Sequence, residues 1–275
     1  MLKKATIFTL AAITGGIFFS CENLDSDRPE TATGYDEKQQ QTTSTSSTEF
    51  DEDAYMNTAL PDFRAYESAD VRREKFFQFL KPIVEHENQR VLSQRAFVKK
   101  CFRAFQQGWE LDEERLNRLE EIAREYRLHN MEFDNTNAFE KVLLRVDKIP
   151  ESLALIQAAN ESAWGTSYFA REGNNLFGQW CFTEDCGLVP RNRPEGAKHQ
   201  VAVYPSVALS VRAYIRNLNT HAAYSYLRNL RYEMRLENKP LKSDYLALGL
   251  QKYSSKGMEY VNILRSMLKS NERYI

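Results

Sequence analysis

Between residues 54 and 148, apolar positions recur at steps of three and four. In "REKFFQFLKPIVEHENQRVL" they are Phe76, Phe77, Leu80, Ile83 and Val84, the spacing of one helix face. Pro82 falls inside this run. It lacks an N–H and its ring crowds the preceding turn, so a kink or an end is expected there. "DEERLNRLEEIAREYRL" repeats the pattern through Leu116, Leu119, Ile122 and Tyr126. Asp112 stands at its N-cap, with acids in the first turn. "NTNAFEKVLLRV" predicts a further short helix. Nothing in this region clusters like a catalytic group, so it reads as a scaffold or the wall of a cleft.

The pattern changes after residue 148. Pro150 suits the first position of a helix, where its missing N–H costs nothing. Leu153, Ala154, Leu155, Ile156, Ala158 and Ala159 follow. They leave almost no polar face, so this helix belongs in a core. Gly165 is expected to stop it. "HQVAVYP" alternates as a strand does and predicts a small β element. "VALSVRAYIRNL" and "EYVNILRSMLKS" predict two more amphipathic helices. The expected class is mainly α, of α+β type.

Residues 1–53 have a different character. Lys3 and Lys4 precede an apolar stretch over 5–19, and Ser20 comes before Cys21, the order of an export signal. A cysteine directly after the cleavage point predicts a lipoprotein, lipidated on Cys21. Phe18 stands where leucine is usual, and ordinary cleavage leaving a free cysteine is the alternative. The apolar stretch is shorter than the roughly 20 residues a permanent span needs. From 22 to 53 there are ten acids, two bases and almost no aliphatic residues. Such a segment cannot bury a core and predicts a disordered tether, reaching about 30 Å. The expected division is 1–20 signal peptide, 21–53 tether, 54–148 helical region and 149–275 catalytic domain.

From residue 54 onward the charge is mildly basic, 33 bases against 28 acids. That suits an anionic polymer, although mixed solvated charge explains any single patch. Mean hydropathy of −0.58 excludes a chain made of many membrane spans. Cys181 and Cys186 bracket "FTED", and in an oxidising envelope compartment a local disulfide is the natural reading. His86, His129, His199 and His221 lack metal-ligand spacing, so no metal is expected. Cys101, inside a helical pattern, reads as a buried free thiol.

The chemistry concentrates in "AANESAWGTSYFAREGNNLFGQW", residues 158–180. Glu161 is a lone carboxylate closing an apolar helix. Burial beside that helix disfavours the ionised form, and the partial negative charge at a helix C-terminus does the same. A protonated glutamate can give its proton to a leaving oxygen, as glycoside cleavage requires. Trp164, Tyr168, Phe177 and Trp180 are of the kind that line sugar subsites. Asn174 and Asn175 suit an N-acetyl group or loop closure. The alternative for Glu161 is a solvated helix-end side chain.

"SLALIQAANESAWGTSYFAREGNNLFGQW" resembles the signature of the glucosaminidase domain of glycoside hydrolase family 73, which includes flagellar muramidase-like proteins and autolysins. From about Leu60 the chain resembles, more narrowly, the bacterial Bax-type proteins. "FFQFLKPIVEHENQRVL", "CFTEDCGLVPRNRPEG" and "YSSKGMEYVNILRSMLKSN" carry that likeness over about four-fifths of the chain. The resemblance implies a lysozyme-like domain cleaving β-1,4 links after N-acetylglucosamine in peptidoglycan. It places the general acid on Glu161 and the family's "NNLFG" on Asn174 through Gly178. The family's "YATDPxY" tail falls on "YSSKGMEY", which puts its functional tyrosine on Tyr253 with Tyr260 behind it. The Asp-Pro turn is missing here. A second carboxylate is proposed in some relatives, and Glu195 is its best candidate, with Glu184 and Asp185 behind. Without it, the substrate's acetamido group would attack.

The expected function is therefore an endo-β-N-acetylglucosaminidase. A non-catalytic wall-binding lipoprotein and a lytic transglycosylase are the alternatives. The expected partners are peptidoglycan strands and a membrane reached through the lipid anchor, with no nucleic acid and no cofactor. The protein is expected to be a monomer in the cell envelope, anchored to the outer membrane and facing the periplasm or the exterior.

Overall fold

A computed structural model describes residues 52–275, apart from 192 and 194. The export segment, Cys21 and nearly all of the tether lie outside the described residues. These residues fall within one compact unit, Glu49–Ile275.

The helices are α1 (Glu52–Met56), α2 (Ala69–Gln106), α3 (Glu113–Glu125), α4 (Thr136–Arg145), α5 (Glu151–Ser162), α6 (Tyr168–Gly173), α7 (Val207–Thr220), α8 (Ser225–Leu236), α9 (Ser243–Leu246) and α10 (Met258–Ser270). Three short strands lie between α6 and α7: β1 (Trp180–Cys181), β2 (Gly187–Leu188) and β3 (Gln200–Ala202). They form an antiparallel sheet in the order β1-β3-β2, with Trp180 opposite Val201 and Gly187 opposite Ala202. The architecture is thus mainly α with a small β element.

The axis of the fold is α2, 38 residues long. It continues through Pro82, so the helix does not end there. The ring removes a hydrogen bond to the Gln78 carbonyl, and both residues are on the exposed side of α2, where solvent has access to the open carbonyl. The buried face of α2 carries Phe76, Phe77, Leu80, Val84, Val91 and Val98. It packs against α4, α5 and α7. Cys101 is a buried free thiol, and burial pushes its pKa up.

The start of α5 is fixed by buried polar groups. Asn88 donates to the Ile149 carbonyl at 2.7 Å and accepts from the Ile149 N–H at 3.0 Å. Arg231, only 1% exposed, donates to the carbonyls of Leu144, Arg145, Asp147 and Lys148. Arg95 reaches the Leu143 and Val146 carbonyls. A helix end leaves four carbonyls without intrahelical donors, and the two guanidiniums satisfy those that end α4. The chain then turns at 146–150 and enters α5 in one defined place.

Candidate active site

Every residue of α5 from Leu153 through Ala159 is buried. Its last turn meets the first turn of α10, and there Glu161 faces Tyr260. The Tyr260 hydroxyl donates to Glu161 Oε1 at 2.7 Å. Asn160 Nδ2 donates to the same oxygen at 3.0 Å. Oε2 is left pointing toward Gly178, where an added Cβ would stand 3.5 Å from it. Gly178, at φ +62°, lets the chain turn beside the carboxylate with no side chain in the way.

Behind Glu161 runs a chain of donors. The Tyr214 hydroxyl donates to Gln157 Oε1 at 2.7 Å, and Gln157 Nε2 donates to the Tyr260 oxygen at 3.0 Å. Burial raises the pKa of both tyrosines, with Glu161's charge adding to it, so both stay neutral donors. Tyr253 stacks on Tyr260 at 5.6 Å with the rings 2° from parallel. Its hydroxyl donates to the Phe177 carbonyl at 2.7 Å.

The segment 174–179 is shaped from within. Asn175, 2% exposed, donates to the Gln179 and Ala202 carbonyls and accepts from the Phe177 and Gln179 N–H groups. Asn174 caps α6 in a left-handed conformation and donates to the Tyr204 carbonyl at 2.9 Å. The Phe177 ring is fully buried, stacked on Tyr214 at 3.9 Å.

A cleft of about 640 Å³ opens beside Gly178, lined by Phe177, Gln179, Trp180, Phe182, Tyr204, Tyr224 and Tyr253. The α7 face adds Ala213, Arg216, Asn217 and Thr220, and Arg127 and His221 complete the lining. Trp180 is 59% exposed and stacked on His199 at 4.3 Å. Phe182, which sequence reasoning missed, is 71% exposed in the loop that follows β1. Cys181 and Cys186 are joined in a disulfide that closes the loop between β1 and β2. Among the described residues, no group of three or more His, Cys, Asp or Glu side chains gathers to hold a metal.

Several sequence-selected residues sit elsewhere. Trp164 does not line the cleft; its ring packs edge-on against Phe76 and Phe77, with the Arg73 guanidinium over it at 5.5 Å. The cause is the turn after α5. Ala163, Trp164 and Gly165 are all left-handed, at φ 51°, 60° and 74°, which swings the indole toward α2. The helix therefore ends at Ser162, before Gly165. Gly165 is needed for another reason: a Cβ there would meet the Phe63 ring at 2.5 Å. Tyr168 is half-exposed against Phe169 and also outside the cleft lining. Asn174 and Asn175 spend their amides on backbone, and Phe177 spends its ring on Tyr214. Tyr260 is 3% exposed, and its hydroxyl is engaged with Glu161. Glu184, Asp185 and Glu195 are exposed, and none of them lines the cleft.

A glucosaminidase family model, described as mannosyl-glycoprotein endo-beta-N-acetylglucosaminidase, matches residues 136–273. The match opens at the first residue of α4 and takes in Glu161, the sheet and α10. The chain is also similar to protein bax of Escherichia coli strain K12, with 33% identity over 227 residues, 82% of this chain and 80% of that protein. No solved structure matches the chain. The chain belongs to the glucosaminidase-domain family of glycosidase-type enzymes and is a Bax-type member of it.

Proposed function

We propose that the protein is an endo-β-N-acetylglucosaminidase acting on peptidoglycan, with Glu161 as its general acid. One observation carries the reading. Both donors to the Glu161 carboxyl fall on Oε1, while Oε2 faces Gly178 at the edge of the cleft. Oε2 is thus the oxygen open to substrate and the seat of the transferable proton. It protonates the glycosidic oxygen as the anomeric C–O bond breaks, and the bonding pair leaves with that oxygen.

Among the described residues no carboxylate is part of the cleft lining itself, and Glu161, behind Gly178, is the one that stands at its edge. This favours attack by the substrate's own acetamido oxygen over a protein nucleophile. Water then opens the cyclic intermediate and yields a reducing N-acetylglucosamine end. Trp180 and Phe182 offer exposed rings for sugar faces, and the Cys181–Cys186 disulfide constrains the loop that follows β1.

The test is digestion of purified peptidoglycan, with mass analysis of the released ends. Reducing N-acetylglucosamine ends are expected. Anhydro-muramic ends would identify a lytic transglycosylase instead. Glu161→Gln should lower turnover by at least ~10²-fold, since general acid catalysis typically supplies 10²–10⁴. Glu195→Gln should stay within about threefold of wild type, as expected of an exposed side chain away from the chemistry. If Glu161→Gln keeps wild-type turnover, the assignment fails and a wall-binding role becomes the better account.

The charged start, apolar stretch and Cys21 support lipid anchoring in the envelope. Cys21→Ser should move the protein from the membrane fraction to the soluble one. Unchanged sedimentation would refute the anchor.

A further inference from the structure

The wall of the cleft has one sign of charge. Ala213, Arg216, Asn217 and Thr220 on α7 follow the i, i+3, i+4, i+7 spacing of a single helix face, and all four line the cleft. The opposite face of α7, with Val211, Tyr214, Ile215 and Leu218, is buried, so Arg216 is held outward by the packing of its own helix. Arg127 approaches from the segment after α3. It takes a left-handed φ of 57°, uncommon without glycine. Its backbone is held by a bond from its N–H to the Arg124 carbonyl and by Arg145 donating to its own carbonyl.

Both guanidiniums are exposed and neither forms an ion pair among the described residues. No carboxylate shares the lining with them. A cleft walled by aromatics and carrying charge of one sign concentrates ligands of the opposite sign. Elsewhere in this molecule arginines are answered: Arg90 and Arg212 by Glu87, Arg235 by Asp147. A polymer of N-acetylglucosamine alone is neutral and gives two guanidiniums no charge to meet. A peptidoglycan strand carries carboxylates on every second sugar, through the lactyl ether or the peptide built on it. A guanidinium fork matches a carboxylate in shape and charge.

We propose that Arg127 and Arg216 form a carboxylate-binding subsite in the cleft, which takes the acidic substituent of the muramyl residue and selects peptidoglycan over neutral glycans. The inference rests on the glycan-cleaving reading above. The test therefore separates the two.

Binding is measured with Glu161→Gln protein, so that strands stay intact. Three ligands are compared: uncross-linked strands with stem peptides, strands stripped of peptide but keeping lactyl carboxylates, and a neutral N-acetylglucosamine oligomer. Adding Arg127→Gln and Arg216→Gln should weaken binding of peptide-bearing strands by at least about 10-fold, the scale of charge-assisted hydrogen bonds in a partly screened cleft. The deficit should shrink between about 50 and 500 mM salt. The neutral oligomer should change by less than about twofold, because it offers no charge to either guanidinium. A loss that persists on stripped strands identifies the lactyl carboxylate as the ligand. A loss confined to peptide-bearing strands identifies the peptide's. Equal losses on all three ligands, or none on any, overturn the subsite and leave the glycan reading standing. If the parent protein binds none of the three, the glycan reading falls and the subsite with it.

Discussion

Tyr260 has one proton and two partners. Gln157 Nε2 donates to its oxygen, which sends its own proton toward Glu161. The sense of that chain is set two residues away, where Tyr214 donates to Gln157 Oε1. Oε1 of Glu161 is therefore an acceptor, and the proton used in catalysis belongs on Oε2. Tyr260→Phe removes the hinge of this arrangement. It should lower kcat by about 10-fold, the equivalent of one charge-assisted hydrogen bond. It should also cost ~1–3 kcal/mol of stability, because Gln157 is left with a buried donor unpaired. Tyr253→Phe deletes only a bond to the Phe177 carbonyl and should affect kcat less. Turnover measured on the two variants beside denaturant unfolding decides the matter. A larger rate loss for Tyr253→Phe would mean that its hydroxyl works on substrate, as the family likeness implies.

At the scale of elements, the helices that periodicity identified are there: the runs around Phe76, Leu116, Leu153, Val211 and Leu264 lie on α2, α3, α5, α7 and α10. No helix was predicted at α8, although its buried Leu227, Leu230 and Met234 recur at helical spacing. Its Arg231 points inward to serve the carbonyls that end α4, and a sequence does not say where open carbonyls will lie. The same holds for "NNLFGQ". Its asparagines were legible as suited to an N-acetyl group or to loop closure, and their amides close the loop, on the carbonyls of Gln179, Ala202 and Tyr204. Trp164 was legible as an aromatic beside the acid, but its direction depends on three left-handed residues, of which only Gly165 advertises such a backbone. Asn175 is thus the keystone of the segment beside Glu161. Asn175→Ala strands two carbonyls and two N–H groups and should cost about 2–4 kcal/mol by the usual scale for unsatisfied buried groups. A thermal unfolding midpoint equal to wild type would show that water or a shifted loop replaces all four bonds.

At the scale of the molecule, two buried carboxylates tie distant segments together, and they predict how the protein meets acid. Glu87 is wholly buried on α2, where Arg90 and α7's Arg212 hold it. Asp147 lies just ahead of α5, paired with Arg235 at 2.8 Å and close to Arg95 and Arg231. Burial alone would raise both pKa values. The arginine hydrogen bonds and charges outweigh it and hold both below their ordinary values of 4.5 and 3.8. Arg231 shows the counterpart, pushed down to about 10 by burial despite Asp147. A carboxyl depressed in the folded state binds its proton more readily once unfolded. Its stabilising contribution is fully present above the unfolded value and is lost as pH falls through the folded one. The urea midpoint should therefore hold level down to about pH 5 and fall steeply below about pH 4. Asp147→Asn keeps the shape but leaves Arg95, Arg231 and Arg235 without their anion. It should cost ~3–5 kcal/mol near neutral pH, as breaking a buried pair does, and the acid limb should become shallower. Glu161 rides on this result, because the segment that Asp147 anchors sets where α5 begins and so where its last turn ends. Wild type and Asp147→Asn losing stability in parallel below pH 4 would mean that other groups govern the acid limb and that this cluster does not.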